Sequence, residues 1–222
     1  MARTIAGAHY VVVGATGVLG RHVAARLAAR GAQVSAVVRD HTRLDGASVS
    51  QYALADVTDV AALRAALAAV APYDGVVNAA GIVAFGPLAE LDDATLRRVM
   101  EVNAIAPIVM LREASAHLTD GGCFVQISGV VATAPVGGMA AYSASKAAAW
   151  AAMQAAAREL RRRGIDVVDA RPPHTETGLA GRAIAGTAPR MPQGLAPEAV
   201  AERIVAAIEA GERDLPTEAF AG

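Results

Sequence analysis

Short apolar runs alternate with longer, alanine-rich stretches along most of the chain. Runs without polar alternation predict strands buried on both faces, and alanine-rich stretches bounded by Gly or Pro predict helices. The predicted strands are His9–Val13, Val34–Val38, Val49–Leu54, Gly75–Val77, Gly122–Ser128 and Asp166–Ala170. The predicted helices are Val18–Arg30, the stretch from the Thr58-Asp59 cap to Val70, Leu91–Leu118 with a bend at Pro107, Tyr142–Arg163 and Pro197–Ala210. This alternation indicates the α/β class, with a single doubly wound parallel sheet and helices on both faces.

The length of 222 residues suits a single domain spanning residues 1–222. One long stretch, residues 172–196, lacks a helical or strand pattern and is rich in Pro, Gly and Thr. Irregular segments of this length in compact domains are usually functional or mobile. We therefore predict that residues 172–196 form a lid over a site, with a plain surface excursion as the alternative.

Charge and cysteine content exclude several function classes. The 20 basic and 21 acidic residues nearly balance, which argues against nucleic acid or a membrane surface as a partner. The lone Cys123 excludes an internal disulfide, and the five histidines lack the spacing of a metal site, so no metal is expected. No apolar run is long enough to span a membrane and no secretory leader is visible, so we expect a soluble, cytoplasmic protein.

Rare residue types mark a few positions. All basic residues except Lys146 are Arg, and the only two asparagines are Asn78 and Asn103. This composition indicates a coding bias against Lys and Asn. The three residues that remain are therefore candidates for positions where no substitute serves.

A glycine-rich turn, Gly14–Gly20, lies between the first predicted strand and the first predicted helix. At this place glycines let the backbone approach a pyrophosphate at the helix N-terminus, so the turn predicts a dinucleotide site. No GK[ST] sequence follows, so a triphosphate-binding loop is not supported. The candidate contacts are Gly14, Thr16, Gly17, Val18, Leu19 and Gly20.

The end of the second predicted strand bears on the choice of cofactor. An acidic residue there would bind the ribose 2′-hydroxyl of NAD, whereas Val38 is neutral and Arg39 follows it. Because a guanidinium pairs well with a phosphate, Arg39 favours NADP(H). Asp40 is the competing signal and keeps NAD(H) open.

Tyr142 and Lys146 lie four residues apart in a predicted helix and therefore share one face. A nearby ammonium favours the phenolate and is expected to lower the tyrosine pKa. Tyr142 is then a candidate proton donor to a carbonyl or acceptor from an alcohol. Lys146 can also hold the ribose of a nicotinamide cofactor.

Six segments in order make the chain resemble the short-chain dehydrogenase/reductase family over nearly its whole length. They are the turn at 14–20, Asp56-Val57, Asn78-Ala79-Ala80-Gly81, Asn103, the YSASK segment at 142–146, and Pro172 to Thr177. The resemblance implies a nicotinamide-dependent oxidoreductase with a Rossmann-type fold. The expected reaction is that of an NADP(H)-dependent carbonyl reductase or alcohol dehydrogenase acting on a small, partly hydrophobic molecule.

The same resemblance implies a role for each matching residue. Asp56, with Val57 beside it, would bond the adenine amino group, and Asn103 would hold a water in a proton relay to Lys146. Tyr142 would be the catalytic acid and base. The adenosine side would be lined by Asn78, Ala79, Ala80 and Gly81, and the nicotinamide and pyrophosphate would meet Thr175 and Thr177, with Pro172 shaping the turn.

The chain departs from the family pattern at three places. In the turn, Val13 and Val18 replace a Thr and the middle Gly, with Gly17 one position earlier. After the last predicted strand, Pro173 replaces a Gly and His174 follows it. Third, the family's catalytic Ser usually precedes the Tyr by 13 positions, and Gly129 stands there.

Ser128 is the neighbour of Gly129 and the candidate substitute for the missing hydroxyl. Adjacent side chains in a regular strand point to opposite faces. Either a bulge turns Ser128 toward the cleft, or the hydroxyl is absent. This gap supports the alternative function, a dinucleotide-binding regulator of the same fold whose chemistry has lapsed.

The segment Ala147–Ala157 consists almost entirely of small residues, which suits close packing against another helix. The matching helix in the family forms subunit interfaces, so the resemblance implies a homodimer or homotetramer. The cleft would include Val136 and Met139, which are apolar and favour a neutral substrate.

Overall fold

The computed structural model describes residues 2–221. Seven parallel strands form one sheet in the order β3-β2-β1-β4-β5-β6-β7. They are β1 (His9–Val13), β2 (Gln33–Val38), β3 (Gln51–Leu54), β4 (Tyr73–Asn78), β5 (Leu118–Ile127), β6 (Asp166–Ala170) and β7 (Asp214–Leu215). The predicted doubly wound parallel sheet is confirmed. Only β7 lacks a counterpart in the sequence pattern, because two residues are too few to form a period.

Within residues 2–221, six α-helices cover the sheet. They are α1 (Val18–Ala29), α2 (Val60–Ala69), α3 (Asp93–Met100), α4 (Ala106–Ser115), α5 (Ala140–Glu159) and α6 (Pro197–Ala210). Buried apolar side chains of α1 and α6 pack against one face, and those of α2, α4 and α5 pack against the other. Short 3-10 turns occupy His41–Leu44, Leu88–Glu90, Val130–Ala132, Leu160–Arg163, Ala180–Arg182 and Thr217–Phe220. Each face of the sheet therefore has its own apolar core.

The long helical region predicted over Leu91–Leu118 is helical from Asp93 to Ser115, but it is not one regular α-helix. The structure has α3, then one π-helical segment at Glu101–Ile105, then α4, and the chain already enters β5 at Leu118. Pro107 is the second residue of α4 and follows the end of the π segment by two positions. The interruption therefore falls one turn earlier than the predicted bend, in the π segment that carries Asn103.

The carboxyl ends of β1, β4, β5 and β6 meet the N-terminus of α1 at one edge of the sheet. The strand order reverses between β1 and β4, which is where parallel α/β sheets form a ligand crevice. Residues 172–196 lie beyond the end of β6. Backbone hydrogen bonds from Phe85 to Ala185 and from Ile184 to Val83, each 2.9 Å, tie this segment to the chain that follows β4.

Helices in the described part of the chain are all too short or too polar to cross a membrane.

Candidate active site

The glycine-rich turn leaves the first turn of α1 open toward the crevice. Gly14 has φ +83°, and a Cβ added there would lie 2.9 Å from the Ala80 nitrogen. A Cβ on Gly20 would collide with the Gly14 carbonyl oxygen. Gly17 is the N-cap of α1 and supplies no capping side chain, while half-buried Thr16 lies within the turn. Because the first N–H groups of a helix need partners, this end fits the pyrophosphate of a dinucleotide.

Two charged side chains lie near the ends of β2 and β3. Arg39 is exposed, and within residues 2–221 its side chain has no hydrogen-bond or ion-pair partner. Asp56 accepts hydrogen bonds from the Thr58 nitrogen at 2.9 Å and the Thr58 hydroxyl at 2.8 Å. These bonds hold the pKa of the Asp56 carboxyl below its usual value. Val57 is half-buried and packs against the core beside it.

Asn78 fixes the turn that follows β4. Its amide donates to the Gln126 side-chain oxygen at 2.9 Å, and its own oxygen accepts from the Ala80 nitrogen at 3.1 Å. The Ala79 nitrogen donates to the Val13 carbonyl at 2.9 Å. The turn through Ala79, Ala80 and Gly81 is therefore held against β1 and β5, next to the glycine-rich turn.

Asn103 is buried in the π segment and clamps the backbone of Ile82. Its oxygen accepts from the Ile82 nitrogen at 3.0 Å, and its amide donates to the Ile82 carbonyl at 2.8 Å and to the Ser145 hydroxyl at 3.2 Å. A Cβ on Gly81 would lie 3.3 Å from the Asn103 oxygen and 3.5 Å from the Lys146 Nζ. The absence of a side chain at Gly81 therefore leaves room for the Asn103 oxygen and the Lys146 ammonium.

Tyr142 and Lys146 lie on one face of α5, as predicted. The Lys146 Nζ is 5.7 Å from the Tyr142 ring centroid and donates to the Ile127 carbonyl at 3.0 Å. Burial lowers the pKa of Lys146 to about 8, and a nearby Asp169 opposes that shift. Burial raises the pKa of Tyr142 to about 12. The expected lowering of the tyrosine pKa is therefore reversed, because desolvation penalises the phenolate.

Gly129 has φ +89° and ψ 165°, so the position of the family's Ser has a backbone suited only to glycine. The neighbouring Ser128 is 1% exposed. Its hydroxyl donates to the Asp169 carboxylate at 2.5 Å. In this structure the Ser128 proton is therefore directed at a buried acid.

The segment after β6 brings two hydroxyls and an imidazole to the mouth of the crevice. The Thr175 hydroxyl donates to the Pro173 carbonyl at 2.9 Å, and the Thr177 hydroxyl accepts from the Leu179 nitrogen at 3.3 Å. The His174 Nε2 lies 3.4 Å from a Glu176 carboxylate oxygen. These contacts stay within the segment and order it locally.

A cleft of about 420 Å³ joins these parts. Predicted site residues that line it are Gly17, Val18, Leu19, Gly20, Ala79, Ala80, Gly81, Ser128, Tyr142, Lys146, Pro172, Thr175 and Thr177. The other predicted site residues flank the cleft or lie behind it: Gly14, Thr16, Arg39, Asp56, Val57, Asn78 and Asn103. Its remaining lining is mostly apolar and includes Val136, Met139, Leu179 and Met191.

Sequence reasoning missed Asp169, which is fully buried behind the cleft. The signal was present, because Asp169 follows two valines and precedes Ala170 within the strand predicted over Asp166–Ala170. Carboxylates are almost never fully buried unless they are paired.

Known proteins resemble the chain in both sequence and structure. A family model described as short chain dehydrogenase matches residues 8–187. Galactitol 2-dehydrogenase (L-tagatose-forming) of Cereibacter sphaeroides is 34% identical over 191 residues, covering 78% of this chain and 73% of that protein. Inactive 2-(S)-hydroxypropyl-CoM dehydrogenase 2 of Xanthobacter autotrophicus is 34% identical over 155 residues, covering 64% of this chain and 67% of that protein.

A solved structure gives the same result for the fold. The crystal structure of a short chain dehydrogenase from Burkholderia cenocepacia J2315 in complex with NADP has a TM-score of 0.85 and 26% identity to this chain. The alignment covers 97% of this chain and 90% of that one. With a family model spanning most of its length and relatives named as dehydrogenases, the chain belongs to the short-chain dehydrogenase/reductase family of oxidoreductases.

Proposed function

We propose that the protein is an NADP(H)-dependent carbonyl reductase or alcohol dehydrogenase in which Tyr142 moves the proton. The observation that carries this proposal is the convergence of Tyr142, Lys146 and the open N-terminus of α1 on one cleft. The cofactor supplies or accepts a hydride at its nicotinamide ring when it is bound. The residues of this chain bind it, orient the substrate oxygen and move the proton.

The protonation states suit a reduction. With a pKa raised by burial to about 12, Tyr142 holds its proton at neutral pH and can give it to a substrate oxygen. With a pKa of about 8, Lys146 is mostly an ammonium at pH 7 and stabilises the phenolate that remains. Asn103 holds the Gly81–Ile82 backbone beside Lys146. The family resemblance implies that Asn103 also binds a water in the proton relay.

Arg39 supports NADP(H) over NAD(H). Its guanidinium is exposed at the end of β2 and free to take a 2′-phosphate. The competing Asp40 carboxylate accepts from the Thr42 nitrogen at 3.0 Å and the Thr42 hydroxyl at 2.6 Å, so it caps a turn. The solved Burkholderia structure with NADP points the same way.

The Arg39→Ser variant tests this choice of cofactor. Loss of a charged hydrogen bond worth about 1.5–3 kcal/mol should raise the Kd for NADPH roughly 10- to 100-fold and leave that for NADH nearly unchanged. The Kd values are measured by fluorescence titration. Arg43→Ser, an exposed arginine of the following turn, is the matched control and should change neither value. An equal loss for both cofactors in Arg39→Ser would contradict the assignment.

The substrate is proposed to be small, neutral and partly hydrophobic. Beyond Tyr142 the cleft is bounded by Val136 and Met139, and by Leu179 and Met191 from residues 172–196. That segment is proposed to act as a lid, because it is held to the body by few backbone bonds and borders the cleft.

A second candidate function is a dinucleotide-binding regulator without turnover. Gly129 removes the usual hydroxyl, Ser128 is engaged by Asp169, and one relative carries the word inactive in its name. NADPH consumption over a panel of aldehydes and ketones, with NADPH binding measured in parallel, separates the two candidates. Turnover of any panel member supports the reductase, and binding without turnover supports the regulator.

A further inference from the structure

A row of polar side chains crosses the sheet beneath α5. Asn78 of β4 is in register with Gln126 of β5, and Gln126 is in register with Asp169 of β6. Apolar neighbours two residues earlier, Val76, Phe124 and Val167, belong to the core on the α5 side, so the row faces α5. Asn78, Gln126 and Asp169 are 0–1% exposed. Burial of polar groups costs free energy unless each one is hydrogen-bonded.

This row leads to Lys146. The Gln126 amide donates to the Ile127 carbonyl at 3.1 Å, and the Lys146 Nζ donates to the same oxygen at 3.0 Å. The next residue, Ser128, donates its hydroxyl to Asp169 at 2.5 Å. Lys146 and Asp169 therefore bind adjacent residues, 127 and 128, at the carboxyl end of β5.

Within residues 2–221, only one of the two Asp169 carboxylate oxygens has a hydrogen-bond partner. One oxygen accepts from Ser128 and, at 3.4 Å, from the Arg171 guanidinium. Its other oxygen is buried without a hydrogen-bond partner within residues 2–221. Arg171 is itself bound to Asp214 of β7 at 2.8 Å, so its charge is shared with a second acid.

The charged groups around this pair are few. Lys146 of α5 and Arg171, the residue after β6, face the Asp169 carboxylate, and Ser128, the residue after β5, is neutral. Around Lys146 lie the Tyr142 ring of its own helix, the Ile127 carbonyl of β5 and the Asn103 amide of the π segment. The Asp169 carboxylate raises the pKa of the Lys146 ammonium, against the effect of burial.

We propose that Asp169 is a positioning residue whose buried carboxylate is the counter-charge that keeps Lys146 an ammonium beside Tyr142. Its effect is exerted through Lys146 and does not require contact with substrate. The link to catalysis rests on the proposed function, since it assumes that Lys146 serves Tyr142. The electrostatic pairing itself depends only on the geometry of β5, β6 and α5.

The two groups define a pH window. Burial raises the pKa of Asp169 to about 6 and lowers that of Lys146 to about 8. Both are therefore charged between these values. Below the window the counter-charge is lost, and above it the ammonium is lost.

The single lysine allows a direct test. Protein grown on lysine labelled with ¹³C at Cε gives one lysine side-chain resonance, that of Lys146. Its main titration midpoint in the wild type should lie at about 8. In Asp169→Asn we expect that midpoint to fall by roughly one pH unit, since a close opposite charge typically shifts a pKa by about 1–3 units.

Asp214→Asn is the matched control, because Asp214 also binds Arg171 but is 53% exposed at its side chain. Its Lys146 midpoint should stay within about 0.2 units of the wild type, since screened surface charges couple weakly. An unchanged midpoint in folded Asp169→Asn overturns the proposal, as does an equal fall in Asp214→Asn.

The wild type supplies a second readout if Asp169→Asn does not fold. The Lys146 resonance should show a smaller inflection at about pH 6 as Asp169 ionises. Its absence overturns the proposal. Both measurements need neither substrate nor turnover, so a failed reductase assignment would leave them interpretable.

If turnover is found, the alkaline limb of kcat should move to lower pH in Asp169→Asn and stay in place in Asp214→Asn.

Discussion

Gly129 occupies a backbone conformation that other residues adopt only under strain. With φ +89° and ψ 165° it lies in a region that is essentially restricted to glycine. The space around it is open, since an added Cβ would meet only the Pro172 carbonyl at 3.7 Å. A serine at this position is therefore disfavoured by backbone strain and not by crowding of its side chain.

Restoring the serine should accordingly fail. We expect Gly129→Ser to lower the free energy of unfolding by about 1–3 kcal/mol and to give no gain in turnover. Urea denaturation and initial rates measure the two effects. Gly137→Ser, where nothing lies within 4 Å of the added Cβ and φ is ordinary, is the control and should change stability by less than about 0.5 kcal/mol. A stable and faster Gly129→Ser enzyme would refute this interpretation.

Some site residues could be predicted from sequence motifs, whereas the contacts of others depend on packing in the folded protein. Tyr142, Lys146 and Asn103 were identifiable because spacing and rarity marked them in the sequence. The contacts of Ser128 were not, because they depend on its cross-strand neighbour Asp169, which is 41 positions away. Desolvation is likewise a property of the fold, so the direction of the Tyr142 pKa shift required the structure.

At the scale of elements, the packing of α1 onto the end of β1 depends on Gly20. Its Cα faces the Gly14 carbonyl so closely that a methyl group would overlap that oxygen and approach Ala15. The absence of a side chain at Gly20 therefore shapes the glycine-rich turn that is proposed to bind the pyrophosphate.

Gly20→Ala should destabilise the protein through overpacking by about 1–3 kcal/mol and weaken NADPH binding by displacing the turn. Unfolding curves and fluorescence titration report the two effects. Gly181→Ala, which adds a methyl group into open space, should leave the free energy of unfolding nearly unchanged. Unaltered stability in Gly20→Ala would show that the turn accommodates a methyl group. It would contradict the view that the packing of α1 onto β1 depends on Gly20.

The strands were predicted better than the helix boundaries, for a physical reason. Buried parallel strands are mostly apolar, so β1, β2 and β6 are visible in the sequence by their consecutive valines. The π segment at Glu101–Ile105 has no such signature, because its residues suit an α-helix equally well. β5 begins four residues before the predicted start since its register with β4 shifts between Tyr73 and Gly75.

At the scale of the whole molecule, one outer face remains apolar. The side of α3, the π segment and α4 exposes Leu96 by 38%, Ile105 by 53% and Ile108 by 43%. The neighbouring α5 exposes small residues at Ala144, Ala151 and Ala155, which share one helical face. Exposed apolar patches with adjoining small residues are typical of subunit interfaces.

We expect a homodimer or homotetramer that uses this face. Ile108→Glu should reduce the mass in solution to that of the 22.5 kDa chain while the far-UV circular dichroism is retained. Sedimentation velocity measures the mass. Leu88→Glu, at a 71% exposed position outside these helices, is the control and should keep the wild-type mass. A monomeric wild type at working concentration would disprove the expectation.

The central claim is that Tyr142 moves the proton in a cofactor-dependent reduction. The most direct measurement is the rate of NADPH oxidation by Tyr142→Phe, with a carbonyl substrate that the wild type reduces, alongside the Kd for NADPH. Removing only the hydroxyl should lower kcat at least about 100-fold and change the Kd less than threefold. Turnover by Tyr142→Phe at the wild-type rate, with NADPH bound equally well, would contradict the account.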